Sequence, residues 1–267
     1  MSLVQAFVLG IVQGVAEFLP VSSSGHLVLV PAILGWDGPS LGFDVLLHLA
    51  TLVAVVAYFR RDLWRMVRAF FSRSEGLATE RKLAWLIIIA TVPTGIIGLT
   101  FKDFFESLFS NVTYVGVFLL VTAAFLALAE KLSRKALHDP ADMGFRHAIA
   151  VGVAQGMAIA PGISRSGTTM AAGLGAGLDR EQAARFSFLL SVPIILLAGA
   201  KTALDVATHS EPLPGIAVCI VGFLAAAISG YAVIAGLLSW LRRRSLLVFS
   251  AYCAVVGTAV LVWQFIV

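Results

Sequence analysis

The chain has 267 residues, 59% of them apolar and only 13% charged, with a mean hydropathy of +0.95. A soluble domain is roughly half apolar and about a quarter charged, so this chain lacks the polar side chains to cover a globule, and a soluble or disordered fold is excluded. The net charge of +4 is spread in short basic clusters between apolar runs, an orientation signal of a membrane protein rather than a nucleic-acid footprint.

The first residues, Met1 to Leu9, carry no Lys or Arg, so the start reads as part of the mature fold rather than a cleaved leader. Residues 3–34 are apolar but broken at Pro20-Val21-Ser22-Ser23-Ser24-Gly25. The flanking pieces are marginal as full spans and predict a re-entrant hairpin of two half-helices. Charge-free runs at 45–59, 83–101 and 107–129 follow, each predicting a span, the first with help from its flanks. A second broken region, 147–178, is interrupted at Pro161-Gly162-Ile163-Ser164-Arg165-Ser166-Gly167, and runs 186–200, 212–241 and 245–267 come after it. The long unbroken runs exclude a β-barrel. The fold class is therefore an all-α polytopic membrane protein with about six full spans and two re-entrant broken-helix hairpins; a version in which one half-helix crosses fully stays open. Cys219 and Cys253 lie inside apolar runs and read as free thiols.

The two broken regions repeat each other. At an offset of 142 residues, Gly10-Ile11-Val12-Gln13-Gly14 matches Gly152-Val153-Ala154-Gln155-Gly156, and Ser22-Ser23-Ser24-Gly25 matches Ser164-Arg165-Ser166-Gly167. One integral membrane domain thus divides into a first repeat, 1–146, and a second, 147–267, each a broken hairpin followed by three spans. Loops 60–82, 131–146, 180–185 and 242–244 hold seven, four, two and three of the 19 Lys and Arg residues, which places those loops in the cytoplasm. Hairpin 3–34 then enters from outside and hairpin 147–178 from inside. Three spans per half is an odd number, so the repeats are inverted, an architecture that brings broken-helix tips to the bilayer midplane.

Lys102 and Lys201 fall outside on this topology, and the remaining basic residue, Arg165, lies in a break. An ionisable side chain at the bilayer centre costs at least ~2.5–3.5 kcal/mol, so Glu17, His26 and Arg165, all at the breaks, are functional candidates by default. Each break is a Ser/Gly turn running into a helix start, where free N–H groups and the helix dipole attract anions. Arg165 adds a planar fork suited to phosphate. Gln13 and Glu17, four apart, share a helix face, and a carboxylate in an anion site is explained by a divalent cation bridging it to phosphate. A serine or His26 then supplies nucleophile or base. Weighed against these, Gly10, Gly14, Gly152 and Gly156 read as helix-packing residues. Gln13 and Gln155 have an interhelical-bond reading, His48 a structural or mouth position as open as a functional one, and Asp44 a solvated one, with metal holding as the other possibility for Asp44.

At these residues the sequence resembles a known family. Gln13-Gly14-Val15-Ala16-Glu17, Phe18-Leu19-Pro20-Val21-Ser22-Ser23-Ser24-Gly25-His26 and Pro161-Gly162-Ile163-Ser164-Arg165-Ser166-Gly167-Thr168-Thr169 are similar to the motifs of the undecaprenyl-diphosphate phosphatase family of bacterial inner membranes. The resemblance covers nearly the whole chain. It implies hydrolysis of undecaprenyl (C55 isoprenyl) diphosphate to the monophosphate, recycling the lipid carrier for peptidoglycan synthesis, and bacitracin resistance. It also implies a Mg²⁺ or Ca²⁺ cofactor, a site open to the periplasm, and as partners the polyprenyl diphosphate and membrane lipids, with no nucleic acid and a homo-oligomer left open. By motif position Glu17, Ser23, His26 and Arg165 are catalytic, with the nucleophile open between Ser23 and His26. Ser22, Ser24, Gly25, Ser164, Ser166, Gly167 and Thr169 bind substrate, and Glu17 with Gln13 meets the metal, Gln13 offering only a neutral oxygen.

Two other functions compete. A lipid phosphatase of the phosphatidic acid phosphatase type 2 superfamily needs a second His soon after its Arg, and residues 166–178 have none. A lipid transporter or flippase shares inverted repeats and broken helices, but the serine triplet beside Glu17 and His26 favours chemistry. Arg165→Ala is expected nearly to abolish turnover while leaving the fold intact.

Overall fold

The computed structural model describes residues 1–72, 74–108, 111–133, 139–209 and 213–266. Arg73 of the first basic loop, Arg134 and Lys135 of the second, positions 109–110, 212 and 267 of three predicted runs, and 210–212 of loop 201–215 lie outside the described residues. Among the described residues the chain is helical, with no strand. Its first part comprises α1 (Leu3–Phe18), α2 (Ser23–Leu34), α3 (Leu41–Tyr58), α4 (Arg60–Phe71), α5 (Ala78–Thr100), α6 (Lys102–Leu108) and α7 (Val112–Leu132). Its second part comprises α8 (Phe145–Met157), α9 (Arg165–Gly175), α10 (Arg180–His209), α11 (Ile216–Leu241) and α12 (Leu247–Ile266).

Six of the described helical stretches are long and apolar enough to cross a membrane: Leu41–Tyr58, Glu75–Thr100, Val112–Leu132, Arg180–Lys201, Ile216–Leu241 and Leu247–Ile266. These are the six predicted spans, and they make the chain a multi-pass helical membrane protein. Two boundaries differ instructively. The basic loop 60–82 contains α4, because its arginines recur at 61, 65 and 68 on one face while Leu63, Met66, Val67 and Phe70 fall on the other. Helix α10 begins at Arg180, taking in the flank that run 186–200 needs in order to span, because the charges at its start are paired. Arg180 makes two bonds to Glu130, at 2.7 and 2.8 Å, and Glu181 takes two from Arg242, at 3.0 and 2.9 Å.

The packing crosses between the two parts of the chain. Helix α1 lies on α11, and α8 lies on α5; α3 and α10 pack on each other, and α7 on α12. The glycines set the approach. A Cβ on Gly10 would sit 2.5 Å from the carbonyl oxygen of Gly222 on α11. A Cβ on Gly152 would collide with the carbonyl oxygen of Ala90 on α5. The expected packing role of these small residues is what the contacts display. Thr94 on α5 donates to the Gly152 carbonyl at 2.9 Å, and Gln155 donates to Thr94 at 3.1 Å, so Gln155 makes an interhelical bond. At the centre Phe18 meets Phe188 edge-on at 5.3 Å, joining α1 to α10 beside the site. Both cysteines are free; Cys253 is buried and Cys219 half-buried.

Candidate active site

The two breaks become two helix starts of one design. Ser22 caps α2, its hydroxyl accepting from the Gly25 amide at 3.3 Å; Ser164 caps α9, accepting from the Gly167 amide at 3.0 Å. Among the described residues no group accepts from the amides of Ser23 and Ser24, or from those of Arg165 and Ser166, which leaves two sets of first-turn N–H groups. The tips touch. A Cβ on Gly25 would lie 3.3 Å from Gly162 Cα, and one on Gly167 would lie 3.3 Å from Pro20 Cβ. Ser166 Oγ donates to the Leu19 carbonyl at 3.1 Å. Gly162 itself has φ +96° and backs onto the Val115 carbonyl, 2.6 Å from where a Cβ would be, so no other residue suits that turn. Ser22 is the non-glycine residue with positive φ, 72°, among the described residues; strain there sits beside Ser23.

Glu17, at the last turn of α1 and 6% exposed, is the hub. Arg165 Nη2 donates to its Oε1 at 2.6 Å. Ser23 Oγ donates to Oε2 at 2.5 Å, and Gln13 Nε2 donates to the same oxygen at 3.1 Å. Arg165 is held from behind, its Nη1 donating to the Ser187 carbonyl at 3.2 Å. Of the predicted residues, Gln13, Glu17, Ser23 and Arg165 thus form one bonded cluster.

The others stand around it. His26, in the first turn of α2, makes no bond to Glu17 or Ser23; its Nδ1 lies 2.8 Å from the Ser22 carbonyl and its Nε2 2.7 Å from the hydroxyl of Tyr252. A carbonyl only accepts, so Nδ1 carries the proton and Nε2 accepts from Tyr252. Ser24 is half-buried and near Ser22, 3.4 Å between hydroxyls. Ser164 and Ser166 hydroxyls lie 3.2 Å apart and are engaged in the cap and the tip contact. Thr169 faces inward, donating to the Arg165 carbonyl at 2.7 Å and lying 2.6 Å from Ser187 Oγ; it supports the turn that carries Arg165.

Four residues outside the motifs also belong here. Thr122 on α7 accepts from the Ser164 amide at 3.0 Å and donates to the Gly162 carbonyl at 3.1 Å, bracing the second tip. Ser187 holds Arg165, and Tyr252, from the last helix, stacks on His26 with ring centroids 5.7 Å apart. His48 on α3 brings Nε2 to 3.7 Å from Glu17 Oε2, with the Asp44 carboxylate 3.7 Å from its Nδ1. The available signal for all of them was a polar side chain inside an apolar run. For Thr122, Ser187 and Tyr252 that signal is too common to single out a site, and for His48 it left a structural role just as open.

A polytopic helical protein that brings a buried carboxylate, a buried serine hydroxyl and a half-buried arginine together where two serine-capped helix starts meet is the class that fold and site define. The sequence profile of the family described as bacitracin resistance protein BacA matches residues 6–259, and the chain belongs to that family. It is 43% identical over 270 residues to an undecaprenyl-diphosphatase of Methanosphaera stadtmanae, covering 96% of each chain. It is 46% identical over 265 residues to one of Halothermothrix orenii, covering 98% of each. With one of Myxococcus xanthus it shares 44% over 268 residues, 98% of this chain and 89% of that one.

Proposed function

We infer that the protein is an undecaprenyl-diphosphate phosphatase, which hydrolyses undecaprenyl diphosphate to the monophosphate and inorganic phosphate and so returns the lipid carrier to cell-wall synthesis. Family membership and the relatives' activity support the reaction over transport. The observation that carries the chemistry is the Ser23 hydroxyl donating to Glu17 Oε2 at 2.5 Å while Arg165 holds Oε1. That arrangement is a nucleophile on its base, with the base oriented by a third group.

Ser23 accordingly serves as nucleophile. Its proton passes to Glu17 as Oγ bonds the terminal phosphorus. The bond from that phosphorus to the bridging oxygen breaks, and the electron pair leaves with the lipid monophosphate. Water then releases phosphate from Ser23, Glu17 returning the proton to Oγ while the water's own protons stay with the phosphate and hydroxyl it brings. Arg165, with guanidinium N–H groups beyond those bound to Glu17 and Ser187, and the free amides of both tips receive the charge that develops on the phosphoryl oxygens. His26, both of whose ring nitrogens are engaged, is a weaker nucleophile candidate and serves to position Ser22 and the first turn. Ser22, Ser24, Gly25, Ser164, Ser166, Gly167 and Thr169 shape the phosphate pocket, Thr169 from beneath.

The residues present fit a divalent cation. Gln13 Oε1 is buried and has no donor, on the amide that touches Glu17, which is the kind of lone pair a cation satisfies. Glu17 with Gln13 would hold Mg²⁺ or Ca²⁺, whose chemistry when bound is to neutralise charge on the diphosphate. We further propose that 1–146 and 147–267 are inverted repeats with re-entrant hairpins 3–34 and 147–178. The matching caps at Ser22 and Ser164 and the reciprocal packing of α1 on α11 and α8 on α5 support this. The one-sided distribution of Lys and Arg supports a site opening to the periplasm from the bacterial inner membrane.

The test is phosphate release from a polyprenyl diphosphate by purified protein in detergent, with single-turnover trapping of phospho-enzyme. Parent protein is expected to release phosphate and accumulate phosphoserine, and Ser23→Ala to do neither. A phospho-enzyme that persists in Ser23→Ala would move the nucleophile to His26. No release from the parent would restore the transporter reading.

A further inference from the structure

We propose that His48 is a ligand, through Nε2, of the divalent cation that Glu17 holds. The proposal rests on the cation reading above and adds to it a nitrogen donor from α3, a helix outside both broken segments.

The ring's tautomer is decided by its surroundings. Nδ1 lies 2.9 Å from the carbonyl oxygen of Asp44, one turn back on the same helix. That oxygen can only accept, so Nδ1 carries a proton, and the ring in its neutral form turns the Nε2 lone pair towards Glu17. This lone pair lies 3.7 Å from Glu17 Oε2. Two electron-rich atoms at that separation call for a positive centre between them, and a divalent cation meets that need as a proton on Nε2 would. A third lone pair belongs to the same group of atoms. Gln13 donates its Nε2 to Glu17 Oε2 at 3.1 Å, while the oxygen of that amide, on a fully buried side chain, has no donor. Glu17 Oε2 already accepts from Ser23 and Gln13, and beside it His48 Nε2 and Gln13 Oε1 are the atoms to which a cation gives a positive partner.

The supporting contacts agree. An imidazole that donates its other N–H to a carbonyl is the usual way a metal-binding histidine is oriented and made more basic. With His48 neutral as a ligand, Glu17 and Asp44 are opposed by Arg165, so one net negative charge faces a dication. Among the described residues no three His, Cys, Asp or Glu side chains converge closely enough to enclose an ion. The proposed set of Glu17, His48 and Gln13 is therefore open and mixed, with positions left for substrate oxygens and water, as a catalytic cation requires. A nitrogen donor also moves the site's preference from Mg²⁺ and Ca²⁺ towards Mn²⁺ and Co²⁺.

Mn²⁺ is the probe. It is titrated into the full-length protein in detergent without substrate, with free Mn²⁺ followed by its electron paramagnetic resonance signal and the bound ion's coupling to ¹⁴N read by electron spin echo modulation. The parent and His26→Ala are expected to display an imidazole nitrogen on bound Mn²⁺. His48→Gln is expected to lose it and to bind Mn²⁺ about tenfold or more weakly. Bound Mn²⁺ without imidazole coupling in the parent, or coupling that survives in His48→Gln, overturns the assignment while leaving the cation reading standing. No Mn²⁺ binding by the parent overturns both. Should His48→Gln not fold, loss of coupling in His26→Ala would overturn the proposal, and its retention there, with the ¹⁵N pattern of histidine-labelled protein, would support it.

Discussion

Replacing Arg165 by Ala should cost stability as well as turnover, and Glu17→Gln in the same chain should separate the two. Glu17 is 6% exposed and Arg165 15% exposed, with 2.6 Å between Nη2 and Oε1. Removing one partner of a buried ion pair costs about 3–5 kcal/mol because the other charge stays buried. Ser23 and Gln13 still donate to the opposite oxygen, which offsets about 1–2 kcal/mol of that. A net loss of about 2–3 kcal/mol corresponds to a fall in melting temperature of roughly 4–12 °C at 2–4 °C per kcal/mol. Adding Glu17→Gln removes the stranded charge, so the double variant should recover much of the loss, a coupling of about 2 kcal/mol. Turnover should fall about 10²–10³-fold on losing Arg165 and not return in the double variant. Thermal unfolding in detergent, followed by size-exclusion fluorescence, and phosphate release give the two readouts. A single variant Arg165→Ala as stable as the parent, or no coupling to Glu17→Gln, would refute the buried pair. The composition and motifs alone implied an intact fold for this variant; the carboxylate it strands is the reason to expect otherwise.

Two more outcomes follow from single contacts. Tyr252→Phe keeps the ring stacked on His26 but removes the donor to Nε2; one hydrogen bond of about 1 kcal/mol sets the expectation of a kcat roughly fivefold lower with KM unchanged, and steady-state kinetics showing a change in KM instead would place Tyr252 on the substrate. Glu130→Ala unties the end of α7 from Arg180 and from the Leu246 amide, bonds of 2.7, 2.8 and 2.8 Å; about 3 kcal/mol of stability should be lost, read as a lower melting temperature, with turnover per folded molecule as in the parent.

What could be read from the residues and what could not divides along a physical line. The six spans follow from run length, since a bilayer demands roughly 20 apolar residues, and all six are present. The clustering of Gln13, Glu17, Ser23 and Arg165 was legible because charge inside an apolar run is costly and rare. Helix α4 was hidden because counting its arginines as a loop signal ignored their helical spacing. Thr122, Ser187 and Tyr252 were hidden for a different reason. Each reaches the site from a full span, 40, 22 and 226 residues from its partner in the chain, and hydroxyls in such spans are most often spent on their own helix. His26 was legible as a site residue, but not its partner: the ring turns to Tyr252, while the histidine that approaches Glu17 is His48.

The 142-residue offset explains why the site needs both parts of the chain. Ser23 and Arg165 occupy equivalent places, each the first residue of a helix capped by a serine, Ser22 or Ser164. Both side chains reach the same carboxylate, Ser23 at Oε2 and Arg165 at Oε1. The position equivalent to Glu17, by contrast, is Ile159, packed in an apolar cluster with Ala160 and Ile163. Arg165 therefore has no carboxylate at the matching place in its own part of the chain and takes the one across the tip contact. On the proposed repeat, the acid and hydroxyl lie in one copy and the guanidinium in the other, so that the Arg165–Glu17 pair is made across the tip contact. Gln13 and Gln155 remain the mark of the shared plan: both are buried and both leave Oε1 without a donor. Gln13 lies beside Glu17, where a cation can use that oxygen; Gln155 is bonded to Thr94 on α5, with no equivalent acid at Ile159 to complete a site. Glu17 against Ile159 thus leaves the first tip with an acid that the second lacks, and Ser23 against Arg165 divides the partners of that acid between the two.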